Sequence, residues 1–157
     1  MADEVTISDK IMLLRGIDIF ESLSVSELAA TVSVVEEIDC TPGEIIIQEG
    51  TVGDTMYLVV KGEVSVIKDL GETNEIEIDR INAGDYFGEM ALFEDAVRSV
   101  SIRIEEPSRF MVLHKQEFKE LVREYPQIAL EICKVLSSRI RNLHTKIEKR
   151  EYSNVEL

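Results

Sequence analysis

The stretch that decides the fold is PGEIIIQEGTVGDTMYLVVKGEVSV, residues 42–66. Four glycines divide it into short runs that are rich in β-branched and aromatic residues. At its end Val64 and Val66 alternate with Ser65, which is the period of two expected of a strand with one buried face. Short strands separated by glycine turns predict a β-sandwich or an open barrel.

The same pattern extends outward over residues 36–114, which we predict to form the barrel. The predicted strands are Glu44–Ile47, Met56–Val60, Glu63–Lys68, Glu75–Ile81 and Val100–Ile104. Thr73 and Asn74 follow Gly71 and are predicted to form a hairpin tip.

Helices are predicted on the N-terminal side of this barrel, over residues 8–35. Ser24 and Glu27 have the spacing of a capping box, in which each side chain accepts from the backbone N–H of the other residue. Leu23 and Leu28 have the spacing of the hydrophobic staple that accompanies such a box.

Two more helices are predicted on the C-terminal side, over residues 115–150. The first covers Lys115–Glu124 and ends before Tyr125-Pro126, because a residue that precedes proline disfavours the helical region. Pro126 suits the first turn of a second, long helix. Its apolar residues form one stripe: Ile128, Ile132, Leu136, Ile140, Leu143 and Ile147. We therefore expect a single domain over residues 1–157, without a linker or an internal repeat.

The composition is that of a globular protein, with 45% hydrophobic and 31% charged residues in a chain of 157. No apolar run approaches the roughly 18 residues of a membrane span. The acidic start, MADEVTISDK, lacks the features of a secretory signal, so a cytoplasmic location is expected. A net charge of −14 argues against nucleic acid as a partner.

The few cysteines and histidines argue against an enzyme. Cys40 and Cys133 lie too far apart for a CxxC motif, and we expect both to be small buried hydrophobes. A cupin-like metal site needs clustered histidines, whereas the chain has only His114 and His144. Neither lies near an activated serine or cysteine in the sequence. We expect no catalytic residue, no metal and no cofactor.

The run FGEMALFEDAVRS, residues 87–99, holds the candidate binding residues. Gly88 allows a sharp turn, and Glu89–Leu92 has the composition of one helical turn, whose free N–H groups attract anions. Arg98 is placed to add a charge-assisted contact to a phosphate. Glu89 would then accept hydrogen bonds from sugar hydroxyls, and Ser99 adds a hydroxyl. Spacing alone leaves open a plain surface ion pair between Glu89 and Arg98, worth less than about 1 kcal/mol.

This run closely resembles the phosphate-binding cassette of the cyclic-nucleotide-binding domains, of the catabolite activator and protein kinase A regulatory subunit type. The nine-residue interval between Glu89 and Arg98 is the usual one of that family. PGEIIIQEGTVGDTMYLVVKGEVSV is similar to its barrel signature, and INAGDYFGE and IFESLSVSEL resemble two further elements. The resemblance covers about residues 11–147. Residues 94–97 depart from it, since they lack the glycine or proline that many members carry there.

The resemblance implies the fold class and a role for each site residue. The fold would be α+β, mainly β: a double-stranded β-helix (jelly-roll) barrel flanked by N-terminal helices and two C-terminal helices. Arg98 would clamp the cyclic phosphate and Glu89 would accept from the ribose 2′-OH. The other residues implied at the ligand are Gly88, Met90, Ala91 and Ser99, with Val66, Ile78, Leu143 and His144 around the base. For Val66 and Ile78 a place in the barrel core is an equal alternative. For His144 a solvated position on the helix is the favoured alternative.

The function that the resemblance implies is that of a regulatory sensor for a cyclic purine nucleotide, with cAMP favoured over cGMP. Its C-terminal helices would move when the ligand binds, and signal to an effector domain or a partner protein. The chain ends at EKREYSNVEL, too short for a helix-turn-helix, so no DNA-binding domain is expected in it. The alternative is a non-binding jelly-roll interaction module. In either case the C-terminal helix has the spacing to pair with its copy in a homodimer.

Overall fold

The computed structural model of the chain describes residues 4–155 and places helices before and after a set of strands. The predicted domain ends, residues 1 and 157, lie outside the described residues. The helices are α1 (Ile7–Arg15), α2 (Val25–Val32), α3 (Lys115–Glu124) and α4 (Pro126–Val155), with 3₁₀ helices at Asp18–Phe20 and Glu89–Leu92. The strands are β1 (Glu36–Cys40), β2 (Ile45–Ile47), β3 (Thr55–Lys61), β4 (Glu63–Lys68), β5 (Ile76–Asn82), β6 (Tyr86–Phe87), β7 (Ser101–Ile104) and β8 (Ser108–His114).

The strands form two four-stranded sheets, in the orders β1-β8-β3-β6 and β2-β7-β4-β5. Every strand pairing is antiparallel. The two sheets face each other across a shared apolar interior, which makes the barrel a jelly roll with flanking helices. The predicted fold class is confirmed.

The N-terminal helices begin at capping boxes. In α2, Glu27 donates its backbone N–H to the Ser24 hydroxyl, and the Glu27 carboxylate accepts from the Ser24 N–H, as predicted. Thr6 and Asp9 form a second box at the start of α1. Each box satisfies N–H groups that a helix start otherwise leaves without partners.

The core has two parts. One lies inside the barrel and includes Val59, Val64, Ile102 and Phe110, all of which are at most 2% exposed. The other lies between the barrel and the helices. Its buried members include Leu14, Phe20, Leu28, Leu58, Phe118, Leu121, Ile128 and Ile132. The helices are therefore held to the barrel by apolar packing, which is the dominant stabilising term for such a surface.

α4 packs against the rest of the molecule only through its first half. Ile128, Ile132 and Val135 are buried, whereas every residue from Ile140 to Ser153 is exposed. The later members of the predicted stripe, Ile140, Leu143 and Ile147, are between 56% and 67% exposed. The second half of the stripe therefore has no partner among the described residues.

Two sets of sequence expectations need correction. β1, β6 and β8 were not among the predicted strands, although all three lie within the predicted barrel limits. Cys133 is exposed and Cys40 is only partly buried, so neither is the buried hydrophobe that was expected. On α4 the buried position at this level is taken by the neighbouring residue, Ile132. Within residues 4–155 no helix combines the length and the apolar character needed to cross a bilayer.

Candidate functional site

The candidate site is built on the turn that follows β6. Phe87 stacks on Tyr57 of β3, with ring centroids 5.1 Å apart, and both rings meet Phe110 edge-on. Gly88 then takes the left-handed conformation (φ 81°) and caps the 3₁₀ helix Glu89–Leu92. Only glycine adopts this conformation without strain, so the chain can reverse here directly after the aromatic anchor.

Arg98 reaches back under this turn and donates to backbone oxygens. Its Nη2 lies 2.7 Å from the Thr55 carbonyl oxygen and 3.2 Å from the Thr55 hydroxyl. Its Nη1 lies 3.4 Å from the Gly88 carbonyl oxygen. The backbone of Arg98 is fixed as well, since its N–H donates to Thr51 and its carbonyl accepts from Gly50. The guanidinium is therefore positioned before any ligand arrives.

Two glycines leave the room that the guanidinium occupies. A Cβ on Gly53 would lie 2.0 Å from Nε of Arg98, and a Cβ on Gly88 would lie 2.8 Å from its Nη1. A Cβ atom does not approach another heavy atom that closely, so no other residue fits at either position with Arg98 in place. From the sequence, Gly53 was predicted only to be a turn residue, and neither this role nor that of Thr55 was predicted.

Arg98 has no carboxylate partner among the described residues. In particular Glu89 and Arg98 do not form an ion pair there, so the surface-pair alternative is not what the structure shows. Burial lowers the pKa of the Arg98 guanidinium, and electrostatic interactions with Tyr57, Asp54 and Glu89 oppose that effect. Arginine stays protonated in proteins, so a half-buried positive charge remains here without an ion-pair partner among the described residues.

A cavity of about 220 Å³ opens beside Arg98. It is lined by all six residues assigned to the ligand from the 87–99 run: Gly88, Glu89, Met90, Ala91, Arg98 and Ser99. Apolar side chains of Ile47, Val100 and Ile102 complete its wall. The structure brings these residues together in one place, while their contact with a ligand stays a prediction.

Four residues that were expected around the base do not line this cavity. Val66 is buried in the barrel core, at 8% exposure, beside Phe87 and Ile102. Ile78 is 55% exposed on β5. Leu143 and His144 lie on the exposed half of α4, where Nε2 of His144 lies 3.6 Å from Oε1 of Glu148. Their contact with a base stays a prediction, and for α4 it requires that the helix move.

Two polar networks hold the run in place, and sequence reasoning found neither. Lys68 donates from Nζ to the Ser99 carbonyl, 3.0 Å away, and pairs with Glu49, so it ties β4 to the end of the run. Tyr86 donates its hydroxyl hydrogen to Asp18, and Arg139 contacts both of them. The second network joins the N-terminal 3₁₀ helix, β6 and α4 at a point two residues before Gly88.

Comparison with known proteins gives the family and the fold. The chain is 31% identical over 139 residues to human cGMP-dependent protein kinase 2; the match covers 87% of this chain and 18% of that protein. The N-terminal domain of a transcriptional regulator from Streptomyces coelicolor superposes with a TM-score of 0.80 at 19% identity, over 86% of this chain and 94% of that one. The regulatory domain of Toxoplasma gondii PKA, solved with cAMP, gives a TM-score of 0.69 at 24% identity, over 87% of this chain and 50% of that one.

The match to a family model decides the assignment, because it covers more than half of the chain. The model described as the cyclic nucleotide-binding domain matches residues 37–125, which include the whole barrel after its first residue, the 87–99 run and α3. This chain belongs to the cyclic nucleotide-binding domain family.

Proposed function

We propose that this chain binds a cyclic purine nucleotide in the cavity beside Arg98 and acts as a regulatory sensor. The observation that carries the proposal is the half-buried guanidinium of Arg98, which meets no carboxylate within residues 4–155. A charge removed from water is costly unless an opposite charge is close. In a chain with 31 acids and 17 bases, a half-buried arginine that forms no ion pair within residues 4–155 suits an anionic ligand.

The surroundings of Arg98 favour a cyclic phosphate over other anions. A cyclic phosphodiester carries one negative charge, which one arginine balances, whereas a phosphate monoester carries more than one near neutral pH. Glu89 lines the same cavity and would repel a bare phosphate, but it can accept hydrogen bonds from a ribose hydroxyl. The apolar wall of Ile47, Val100 and Ile102 suits the sugar and the base rather than an inorganic ion.

The choice of purine and the signal are finer parts of the proposal. The Ser99 hydroxyl can both donate and accept a hydrogen bond, so it accommodates either purine. We propose cAMP as the favoured ligand over cGMP. For the signal, the Asp18–Tyr86–Arg139 network offers a path from β6 to α4. Binding would change the position of α4 only to the extent that the ligand prefers one arrangement. We place the sensor in the cytoplasm, with an effector domain or partner protein as its target.

A thermal melt with cAMP, cGMP and 5′-AMP tests the proposal. A cyclic nucleotide at about 100 times its dissociation constant should add about 2.7 kcal/mol of stability. For a chain of this size that is a rise of roughly 5–10 °C in Tm. 5′-AMP at the same concentration should give a smaller rise, because of its extra charge. If no cyclic nucleotide raises Tm at millimolar concentration, the binding proposal is wrong.

The second candidate function is a helix-mediated interaction module, and one observation favours it. Ile140, Leu143 and Ile147 are exposed at spacings of three and four residues on α4. Those are the spacings of a coiled-coil seam, so α4 suits pairing with the α4 of a second copy. A homodimer of this kind is compatible with nucleotide binding and does not depend on it.

A further inference from the structure

A second groove, which we call the α3–α4 groove, lies between the 3₁₀ helix Glu89–Leu92, α3 and α4. Its volume is about 350 Å³, larger than that of the cavity beside Arg98. Its lining comes from all three elements and includes Leu92, Phe93, Phe118, Lys119, Arg123, Ile132 and Cys133. No residue of this set lines the first cavity, so the two are separate sites.

The groove is deep, and its floor belongs to the apolar core. Leu92, Phe118 and Ile132 line it although each is only 2–6% exposed. At its edge Phe93 stands against Phe118, with ring centroids 5.7 Å apart, yet Phe93 is 40% exposed. A recess of this size with apolar walls has the dimensions of a small-molecule site. Its volume and apolar walls suit an aliphatic chain.

The polar residues of the groove carry only positive charge. Lys119 and Arg123 lie one turn apart on α3, and both line the groove. Neither forms an ion pair with another residue of the described range 4–155, and no aspartate or glutamate of that range lines the groove. Asp95 interacts electrostatically with Lys119, but it lies outside the lining and pairs with Lys115. The pair is therefore a local positive edge on a chain with a net charge of −14.

We infer that the α3–α4 groove binds an amphipathic monocarboxylate, with its aliphatic chain against Phe118 and Ile132 and its carboxylate at Lys119 and Arg123. The apolar walls supply the affinity, and the two cations fix the orientation and select a charged head group. This site goes beyond the proposed nucleotide site and does not depend on it, because no residue is shared.

The alkylation rate of Cys133 can show directly whether the α3–α4 groove is occupied. It is exposed and lines the groove, while the only other cysteine, Cys40, is partly buried on β1. Burial, together with Glu44 and Asp39, raises the pKa of the Cys40 thiol, so it should react more slowly, and it serves as an internal control because it lies outside the groove. We would measure alkylation of both thiols by iodoacetamide in the full chain, with decanoate or with uncharged decanol, each below its micellar concentration.

Decanoate is expected to slow alkylation of Cys133 in a saturable manner and to leave that of Cys40 unchanged, with decanol much less effective. The double variant Lys119→Gln/Arg123→Gln should lower the affinity for decanoate by about three- to tenfold, since two partly exposed charge contacts are lost. The matched control is Lys146→Gln/Arg150→Gln, on the exposed half of α4, which should change nothing.

Three results would overturn the inference. They are no protection by decanoate, equal protection by decanol, and an equal loss of affinity in both double variants. Protection by an acidic amphipathic peptide but not by decanoate would instead make the groove a protein-docking surface. Repeating the assay with Arg98→Ala separates this inference from the nucleotide proposal, because protection by decanoate should persist in that variant whether or not nucleotide binding does.

Discussion

Arg98 depends on residues that are far from it in the sequence. Its guanidinium fills the space that Gly53 leaves by having no side chain, and it donates to the carbonyl and hydroxyl oxygens of Thr55. These contacts hold the charge at the wall of the cavity instead of letting it turn toward solvent. At the scale of single residues, the position of the Arg98 guanidinium therefore depends on the absence of a side chain at Gly53.

The substitution Gly53→Ala tests this dependence. Its Cβ would lie 2.0 Å from Nε of Arg98, so the guanidinium has to move. We expect a loss of cyclic-nucleotide affinity of at least about tenfold, because a displaced guanidinium no longer makes its charge-assisted contacts. Isothermal titration measures the loss.

The control for that substitution is Gly16→Ala. Gly16 has a helical conformation (φ −71°), and the nearest atom to its Cβ would be 3.4 Å away, so the methyl group fits. The affinity of the Gly16→Ala variant for the cyclic nucleotide should equal that of the parent chain. If Gly53→Ala also binds normally, Arg98 does not need the space that we assign to it.

The site residues within the 87–99 run could be predicted from the sequence, but the residues that hold them in position could not. Gly88, Glu89, Arg98 and Ser99 lie within one stretch, so spacing and resemblance could place them together. Thr55 lies 43 residues from Arg98, and a contact across that distance leaves no periodic signal.

At the scale of elements, the Asp18–Tyr86–Arg139 network joins three parts of the chain at one hydroxyl. The Tyr86 oxygen donates to Asp18 and accepts from Nη2 of Arg139, 2.6 Å away. Burial is the main reason why the pKa of Tyr86 is raised to about 12, with the carboxylate of Asp18 adding to it. The hydroxyl therefore stays protonated and can act as a donor throughout the neutral range.

Tyr86→Phe removes that oxygen and keeps the ring. We expect the free energy of unfolding to fall by about 1–3 kcal/mol, because hydrogen bonds to charged groups are lost in a partly buried place. Urea denaturation measures the change. Tyr152→Phe, at a residue that is 73% exposed, should leave the free energy of unfolding unchanged. Equal changes in the free energy of unfolding in the two variants would mean that the network does not stabilise the contact between these elements.

The same network predicts how stability depends on pH. Burial raises the pKa of Asp18, but hydrogen bonds from Arg139 and Tyr86 outweigh it, and the pKa lies below its ordinary value. A carboxyl of this kind stabilises the fold above its unfolded pKa, near roughly 4, and the contribution is lost as the pH falls through the lower folded pKa. Asp18→Asn should therefore lower Tm at pH 7 and lower it less as the pH falls toward 2. A difference in Tm that does not change with pH would contradict this.

The elements themselves could be predicted to different degrees. α3 has the limits that were predicted, Lys115–Glu124, because Pro126 ends it through local geometry. β1, with the sequence EEIDC, has too little apolar alternation to be recognised; its pairing with β8 decides its conformation. β8 is nearly continuous in apolar residues because it is central in its sheet, and a short apolar run does not distinguish strand from helix.

At the scale of the whole molecule, α4 has an apolar surface that no other part of residues 4–155 covers. Ile140, Leu143 and Ile147 are exposed within a chain whose net charge of −14 otherwise favours solvation. Exposed apolar residues that follow a coiled-coil spacing indicate an interface. We expect the chain to form a homodimer through α4.

Light scattering on the parent chain and on Leu143→Glu tests this expectation. The parent should have twice the mass of one chain, and the variant should be a monomer, because a charge at the seam faces its own copy. Glu148→Gln, elsewhere on the exposed part of α4, serves as the control and should remain a dimer. A parent chain that is a monomer at every concentration would remove the second candidate function.

The proposed nucleotide site also belongs to this scale, because the strand that leads to it is hydrogen-bonded to helices from both sides of the barrel. β6 brings the run to the barrel, while Asp18 and Arg139 attach the N-terminal and C-terminal helices to β6. A ligand that contacts Arg98 and Glu89 therefore acts on a point to which the strands and the helices are both connected.

Isothermal titration of the parent chain and of Arg98→Ala with cAMP and cGMP tests the central claim most directly. The account predicts saturable binding of a cyclic nucleotide by the parent chain, with affinity reduced by at least about 30-fold in the variant, since a charge-assisted contact is lost. Equal affinity in the two proteins would show that the phosphate does not bind at Arg98, and no heat of binding in the parent chain would contradict the sensor function itself.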